Sequence, residues 1–364
     1  MTKNTIEIDA GQLLIAGFEG PEPPSELLRA IARAKLAGFI LFKRNLGTMR
    51  EIAELNRRLI EASPRDYPPW IAVDQEGGRV ARLGPPVVAL PPMRVLGAID
   101  QPSLTRDAAR LLGRQLRLLG FNLDLAPVLD IDTNAANPII GDRAFGNDPE
   151  KVVRHALAFA SGLEQAGISG CGKHFPGHGD SEIDSHLALP RIKHERERLD
   201  RVELVPFKAA AGALTTMMTA HLVCEAIDPR LPATLSPSLL TTLLRKQLGY
   251  TGVVFSDDME MKAISDNFSV EDSACLAIEA GCDALLYCSR SDHLFRAYQA
   301  LVRKGEKEPG FARRLRQAKD RALRARRRFR PRAPKSEVEI EKALLAENSQ
   351  EIEARIQRQR SKKV

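Results

Sequence analysis

From residue 13 to residue 302 the chain alternates between two kinds of segment. Short apolar runs of strand length recur at 13–18, 38–42, 70–74, 122–130, 168–175, 215–222, 252–258 and 282–289. Between them lie longer stretches such as SELLRAIARAKLAG, MREIAELNRRLIEA, LTRDAARLLGRQLRLLG and PEKVVRHALAFASGLEQAG. Their apolar residues return every three or four positions, which gathers them on one face of a helix, and a closing Gly is a helix-stop signal. Regular alternation of strand and helix predicts a parallel sheet, because parallel neighbours need a crossover connection. Eight such units in about 300 residues fit the α/β class, specifically a (β/α)8 TIM-type barrel over 1–302. An open doubly wound sheet is the alternative, but no GxGxxG follows an early strand.

Polar residues interrupt this pattern in one kind of place. Asp74, Asp130, His174, His221 and Asp257 stand at or near the C-terminal ends of their apolar runs. In a barrel those ends form the face that carries the active site. The longest irregular connections, 75–102 and 176–195, follow strand ends and are rich in Gly and Pro, as binding loops often are.

Composition adds little to the barrel and more to the tail. Hydrophobic residues make up 43% and charged residues 28%, an ordinary balance for a packed core. The net charge of +7 hides an asymmetry: residues 303–335 hold 15 Lys/Arg against 3 Asp/Glu, and 336–364 hold six of each. The barrel segment therefore carries −5. Residues 303–364 read as a separate basic and mixed-charge tail, helical or partly disordered. GEKEPG is its linker, and the basic helix after it has too few apolar residues for a core stripe. A solvated or surface-packed tail is expected; a binding role towards nucleic acid or an anionic surface is weighed, but few aromatic residues interleave the charges, and nucleic acid is not expected. The five cysteines form no CxxC pair and cannot all pair off, so they read as reduced thiols. No secretory signal pattern opens the chain, and no run of about 18 apolar residues occurs. A cytoplasmic monomer with no membrane span is expected.

The densest chemistry lies in Lys173-His174-Phe175-Pro176-Gly177-His178-Gly179-Asp180, followed by Asp184-Ser185-His186. One loop thus gathers an ammonium, three imidazoles and two aspartates. Asp184 and His186 are two apart, so in an extended loop they leave the same side. A carboxylate against an imidazole orients the ring and raises its pKa from about 6.5, keeping a share protonated as a general acid requires. Ser256-Asp257-Asp258 ends another run, and neighbours on a strand point to opposite faces, so one of the two aspartates faces the pocket. The stretch VDQEGGRVAR delivers Asp74, then two glycines for a tight turn, then Arg79 and Arg82. Gly141-Asp142-Arg143 presents an arginine after the fourth run.

In this order and spacing, VDQEGGRVAR, KHFPGHGD…DSH and FSDD resemble family 3 glycoside hydrolases over roughly residues 10–300. More narrowly, PGHG followed by D-x-H is similar to the bacterial β-N-acetylhexosaminidases of peptidoglycan recycling. The resemblance implies Asp257 as nucleophile, His186 as acid/base and Asp184 as its partner. It implies sugar contacts for Asp74, Arg82, Arg143, Lys173 and His174. The implied substrate is N-acetylglucosamine linked to 1,6-anhydro-N-acetylmuramic acid, with or without peptide, and no cofactor or metal is implied. A family 3 β-glucosidase carries its acid/base on a second α/β domain, for which 364 residues leave no room; that enzyme and a phosphorolytic variant are the alternatives. The tail has no counterpart in the resemblance. A barrel metallohydrolase using His174, His178, Asp184 and His186 is the remote alternative. Among the remaining polar residues, Asp258 is expected to cap the following turn, His221 to be a buried hydrogen-bonded histidine, His178 to shape its loop and Arg79 to brace one. Asp124 and Asp130 are read equally as loop ties and as ligand contacts.

Overall fold

In the computed structural model, residues 3–181, 185, 188–347 and 349–362 are described. Each of the eight apolar runs holds one strand of a closed parallel barrel: β1 (Leu14–Ala16), β2 (Gly38–Leu41), β3 (Trp70–Val73), β4 (Leu123–Asp124), β5 (Ser169–Phe175), β6 (Thr216–Thr219), β7 (Val253–Asp258) and β8 (Ala284–Tyr287). Neighbours follow chain order, and β1 closes the ring by pairing with both β2 and β8. Side chains alternate across each strand. Ile15, Ile40, Trp70 and Ala72 fill the barrel interior. Their neighbours Leu14, Phe39, Leu41, Ile71 and Val73 face the surrounding helices.

Helix α1 (Lys3–Gly11) precedes β1, and a helix follows every strand: α2 (Ser25–Ala32), α3 (Met49–Ala62), α4 (Pro102–Leu118), α5 (Pro149–Gln165), α6 (Val205–Ala210), α7 (Ser238–Gln247, wound as a π-helix), α8 (Val270–Ala280) and α9 (Ser291–Lys307). Their boundaries follow local chemistry. Thr48 caps α3 in a reciprocal box with Glu51, and Asp148 caps α5 ahead of Pro149. Gly167, at φ +79°, turns the chain out of α5 towards β5. Among the described residues, no helix is long and apolar enough to cross a membrane, and all five cysteines are free.

The tail corrects one expectation. The 302/303 boundary falls inside α9, and the basic segment forms α10 (Pro309–Arg328), which does bury a stripe. Phe311, Leu315, Ala318, Ala322, Ala325 and Phe329 follow at intervals of four and three, and the last three join the barrel's interior cluster. Arg326 is fully buried and donates to the Ala37 carbonyl (3.0 Å) and Gln12 Oε1 (2.7 Å). The Asn122 side-chain amide donates to the Phe329 carbonyl (2.8 Å). Gln12, Ala37 and Asn122 each precede a strand, so α10 and the turn after it seal the barrel's N-terminal end. Helices α11 (Glu337–Ala346) and α12 (Ser349–Ser361) continue along α4, burying Ile340, Leu344, Ile352 and Ile356.

Candidate active site

At the opposite, C-terminal end the strands open into a pocket of about 230 Å³, bounded by Asp74, Glu76, Arg143, Lys173, His174 and Asp257 among others. That volume lies below the usual range of roughly 300–1,000 Å³ for ligand pockets, so it suits a small ligand or part of one.

The chain leaves β3 at Asp74 and doubles back as a hairpin, Gln75–Gly77 against Val80–Ala81. Gly77 and Gly78 turn it at φ +111° and +56°, and a side chain on Gly77 would meet the Pro91 carbonyl at 2.8 Å. The hairpin swings Glu76 inward, where it is 1% exposed. Arg143 grips both Glu76 oxygens, Nε to Oε2 at 2.8 Å and Nη2 to Oε1 at 2.7 Å. Lys173 Nζ lies 2.6 Å from Glu76 Oε1 and donates to Asp74 Oδ1 at 2.8 Å. Arg82 reaches Asp74 Oδ2 at 3.4 Å. The result is a buried lattice of alternating charge. Burial alone would raise the Glu76 pKa, but Arg143 and Lys173 outweigh it and hold the carboxyl well below the usual range. Burial likewise opposes the charge on Lys173, and Asp74 with Glu76 more than offsets it, keeping the ammonium protonated. Beneath them Asp124 is buried and raised well above the ordinary carboxylate value, because burial outweighs the Gln75 N–H it accepts.

Asp130 organises the His loop. It accepts the backbone N–H of His174 (3.1 Å) and of His178 (2.7 Å), and His174 Nδ1 at 2.6 Å. Burial opposes its ionisation, but the charge and hydrogen bond of His174 lower its pKa. With Nδ1 engaged, His174 can present only Nε2 to the pocket. His178 bonds Ser181 Oγ through Nδ1 (2.7 Å) and Ser185 Oγ through Nε2 (3.1 Å); burial, then the neighbouring His174, push it down to about 4. It is a neutral ring that shapes the loop.

Asp257, from the end of β7, faces the pocket. Burial disfavours its charge, yet His174, His221 and the Asp258 N–H (2.8 Å to Oδ1) leave its pKa below the usual value. Asp258 differs. Its Oδ1 accepts the N–H groups of Glu260 (3.1 Å) and Cys288 (3.3 Å), while burial, Glu260 and Asp257 raise it to about 7. His221 is buried between Thr234 Oγ1 (2.8 Å) and the Asp258 carbonyl (2.9 Å). Arg79 pairs with Asp142 at 3.3 Å and holds loop carbonyls.

Of the residues singled out in the sequence, Asp74, Arg82, Arg143, Lys173, His174 and Asp257 meet around this one pocket. Asp184 and His186 lie outside the described residues. Ser185, between them in the sequence, lines the pocket. The sequence reading missed Glu76, although it lies two positions after Asp74 in an extended segment, the same spacing that drew attention to Asp184 and His186. Among the described residues, no group of three or more His, Cys, Asp or Glu is placed to hold a metal ion.

Comparison with known proteins converges on one group. The N-terminal domain of glycosyl hydrolase family 3 matches residues 5–324. A β-hexosaminidase of Alkalilimnicola ehrlichii is 40% identical over 286 residues, covering 77% of this chain and 81% of its own length. One from Neisseria meningitidis serogroup C is 39% identical over 265 residues, covering 71% and 72%. Among solved structures, a family 3 β-N-acetylglucosaminidase from a Paenibacillus species superposes with a TM-score of 0.85 at 40% identity; the match covers 89% of this chain and 62% of that one. NagZ from Neisseria gonorrhoeae, in complex with N-trifluoroacetyl-D-glucosamine, gives 0.71 at 30% identity, covering 85% and 98%.

Proposed function

The chain belongs to glycoside hydrolase family 3 and is a glycoside hydrolase of the β-hexosaminidase kind, and from that premise we propose that it releases terminal β-linked N-acetylglucosamine from peptidoglycan fragments with retention of configuration. The observation that carries the reading is the position of Asp257, an ionised carboxylate facing the same pocket as Asp74, Lys173 and His174. Such an array suits a polyhydroxylated ring. Asp74 accepts hydrogen bonds from paired hydroxyls, while Arg82, Lys173 and His174 Nε2 donate or balance charge. Arg143 spends three of its five N–H donors on Glu76 and the Ile139 carbonyl, leaving two for the sugar.

In the proposed reaction Asp257 attacks the anomeric carbon and displaces the aglycone oxygen, forming a glycosyl ester. His186, oriented by Asp184, gives its proton to the departing oxygen. It then takes a proton from the water that hydrolyses the ester, regenerating both groups. An imidazole here replaces the second carboxylic acid that retaining glycosidases usually carry. The N-acylated glucosamine bound by the gonococcal neighbour supports the sugar. The anhydromuramic aglycone and a cytoplasmic setting go with the peptidoglycan reading.

Hydrolysis of N-acetylglucosaminyl-anhydromuramic acid and of 4-nitrophenyl N-acetyl-β-glucosaminide, each compared with the matching glucoside, tests it. Asp257→Ala should abolish turnover. His186→Ala should slow it by about 10²–10⁴-fold, least with the nitrophenyl leaving group. Near-normal activity of Asp257→Ala on either N-acetylglucosaminide would overturn the assignment of the nucleophile, and preference for the glucosides would overturn the sugar.

A further inference from the structure

The pocket absorbs the chemistry of the barrel mouth and leaves the sealed end unexplained. There, Arg65 and, in and just after α10, Arg324, Arg327, Arg330 and Arg332 are all exposed. Arg327 and Arg330 reach the backbone carbonyls of Asp66 and Arg65, which fixes them beneath the barrel without neutralising them. None of the five has an ion-pair partner among the described residues. This is unlike the rest of the tail, where Arg314 and Arg321 share Asp283 and Lys319 holds Asp9.

Continuing past Arg332, the surface changes from charged to mixed. Five basic side chains, Arg332, Lys335 and Lys342 among them, line a groove of about 590 Å³ between α4 and α11, against two acidic ones, Glu339 and Glu347. On the outer face of α11, Val338 and Leu345 are 73% and 78% exposed, the two large hydrophobic side chains left in the open among the described residues. They are seven positions apart, so they share one face of the helix, with the exposed Glu341 and Lys342 between them.

We propose that this sealed end is a docking surface for an anionic lipid bilayer. The arginines meet lipid phosphates, and Val338 and Leu345 enter the headgroup region. Unneutralised arginines concentrate at an anionic surface, and apolar side chains beside them add insertion. A nucleic acid would use the charges but not the two aliphatic residues. It would favour exposed aromatic rings for stacking, whereas Phe311 and Phe329, the aromatic residues of the tail, are buried. Docking by this end leaves the catalytic mouth pointing away from the membrane, open to substrate.

The test is co-sedimentation of the full chain with phosphatidylcholine vesicles, with and without phosphatidylglycerol. Wild type should bind the mixed vesicles at low salt, bind them less as salt rises, and ignore pure phosphatidylcholine. Each basic residue contributes roughly fivefold to partitioning, so Arg324→Gln/Arg327→Gln/Arg330→Gln/Arg332→Gln should weaken it by well over tenfold. Hydrolysis of the nitrophenyl substrate should be unchanged, which reports a folded barrel. As a second variant, Val338→Ser/Leu345→Ser should weaken binding while preserving its salt dependence. Failure of wild type to bind the anionic vesicles, undiminished binding by both variants, or tighter binding to duplex DNA than to the vesicles would overturn the proposal.

Discussion

Glu76→Gln is the sharpest probe of how the pocket is held. The substitution keeps the shape of the side chain and removes one negative charge from a buried site. The amide oxygen can still accept one hydrogen bond, but the amide NH2 now opposes an N–H of Arg143, whose bonds to the carboxylate run at 2.8 and 2.7 Å, and Lys173 loses an anionic partner at 2.6 Å. Removing one member of a buried ion pair costs about 3–5 kcal/mol, because a charge is left uncompensated. Lys173 keeps Asp74 at 2.8 Å, so the lower end, about 3 kcal/mol, is expected. The readout is built in. Trp70 is the protein's one tryptophan and is fully buried inside the barrel, so its fluorescence reports barrel opening. With a urea m-value of about 3 kcal/mol/M, the unfolding midpoint should fall by about 1 M. The sign with pH follows from the lowered pKa of Glu76: its contribution is complete above the ordinary glutamate value of 4.5 and is lost progressively as pH falls below it. The gap between wild type and variant should therefore close on acidification. A midpoint shift below about 0.3 M at pH 7, or a gap that does not narrow with acid, would refute the idea that Glu76 anchors the two cations.

Asp258 carries the opposite sign. Its pKa is raised to about 7, so the folded state is stabilised by the proton and loses that stability as pH rises from 3.8 through 7. Asp258→Asn should then raise the melting temperature at pH 8, by roughly 1–3 kcal/mol equivalent, and leave it unchanged near pH 4; calorimetry at the two pH values decides it. Arg326→Ala should destabilise by about 3–5 kcal/mol, since it empties a packed site and strips the Ala37 carbonyl and Gln12 Oε1 of their donor; urea unfolding checks this, and a cost below about 1 kcal/mol counts against α10 as a seal. Ending the chain after residue 308 should abolish soluble expression, because Phe311, Leu315, Ala322 and Phe329 leave the core with α10.

The barrel was legible because each strand announces itself twice, by an apolar run and by the helix that follows. The mouth was legible because a polar residue at the end of an apolar run is conspicuous: Asp74, His174 and Asp257 were each found that way. Glu76 was not, since it lies past the barrel strand in the hairpin that follows, and what makes it central is Arg143, 67 positions away. No local pattern encodes that pairing. The stripe of α10 escaped for a different reason. Its spacing is helical, but half of its members are alanines, and arginines crowd the intervals, so mean polarity masked a regular face. Arg326 is the extreme case, a charged residue whose burial follows only from the carbonyl and amide that await it.

The ring closure through β1 bears on the order of synthesis. β1 pairs with β8, Gln12 is held by Arg326 and Asp9 by Lys319, so the segment around β1 finds its partners far later in the chain. At about 5–20 residues per second, roughly 15–60 s separate translation of β1 from that of Phe329. Until β8 has been made, the ribosome-bound barrel is an open sheet with Leu14, Ile15 and Ala16 unpaired on one edge, and until α10 follows its N-terminal end stays uncovered. A ring built this way is shut from below, when α10 slides beneath β1 and holds Gln12 through Arg326.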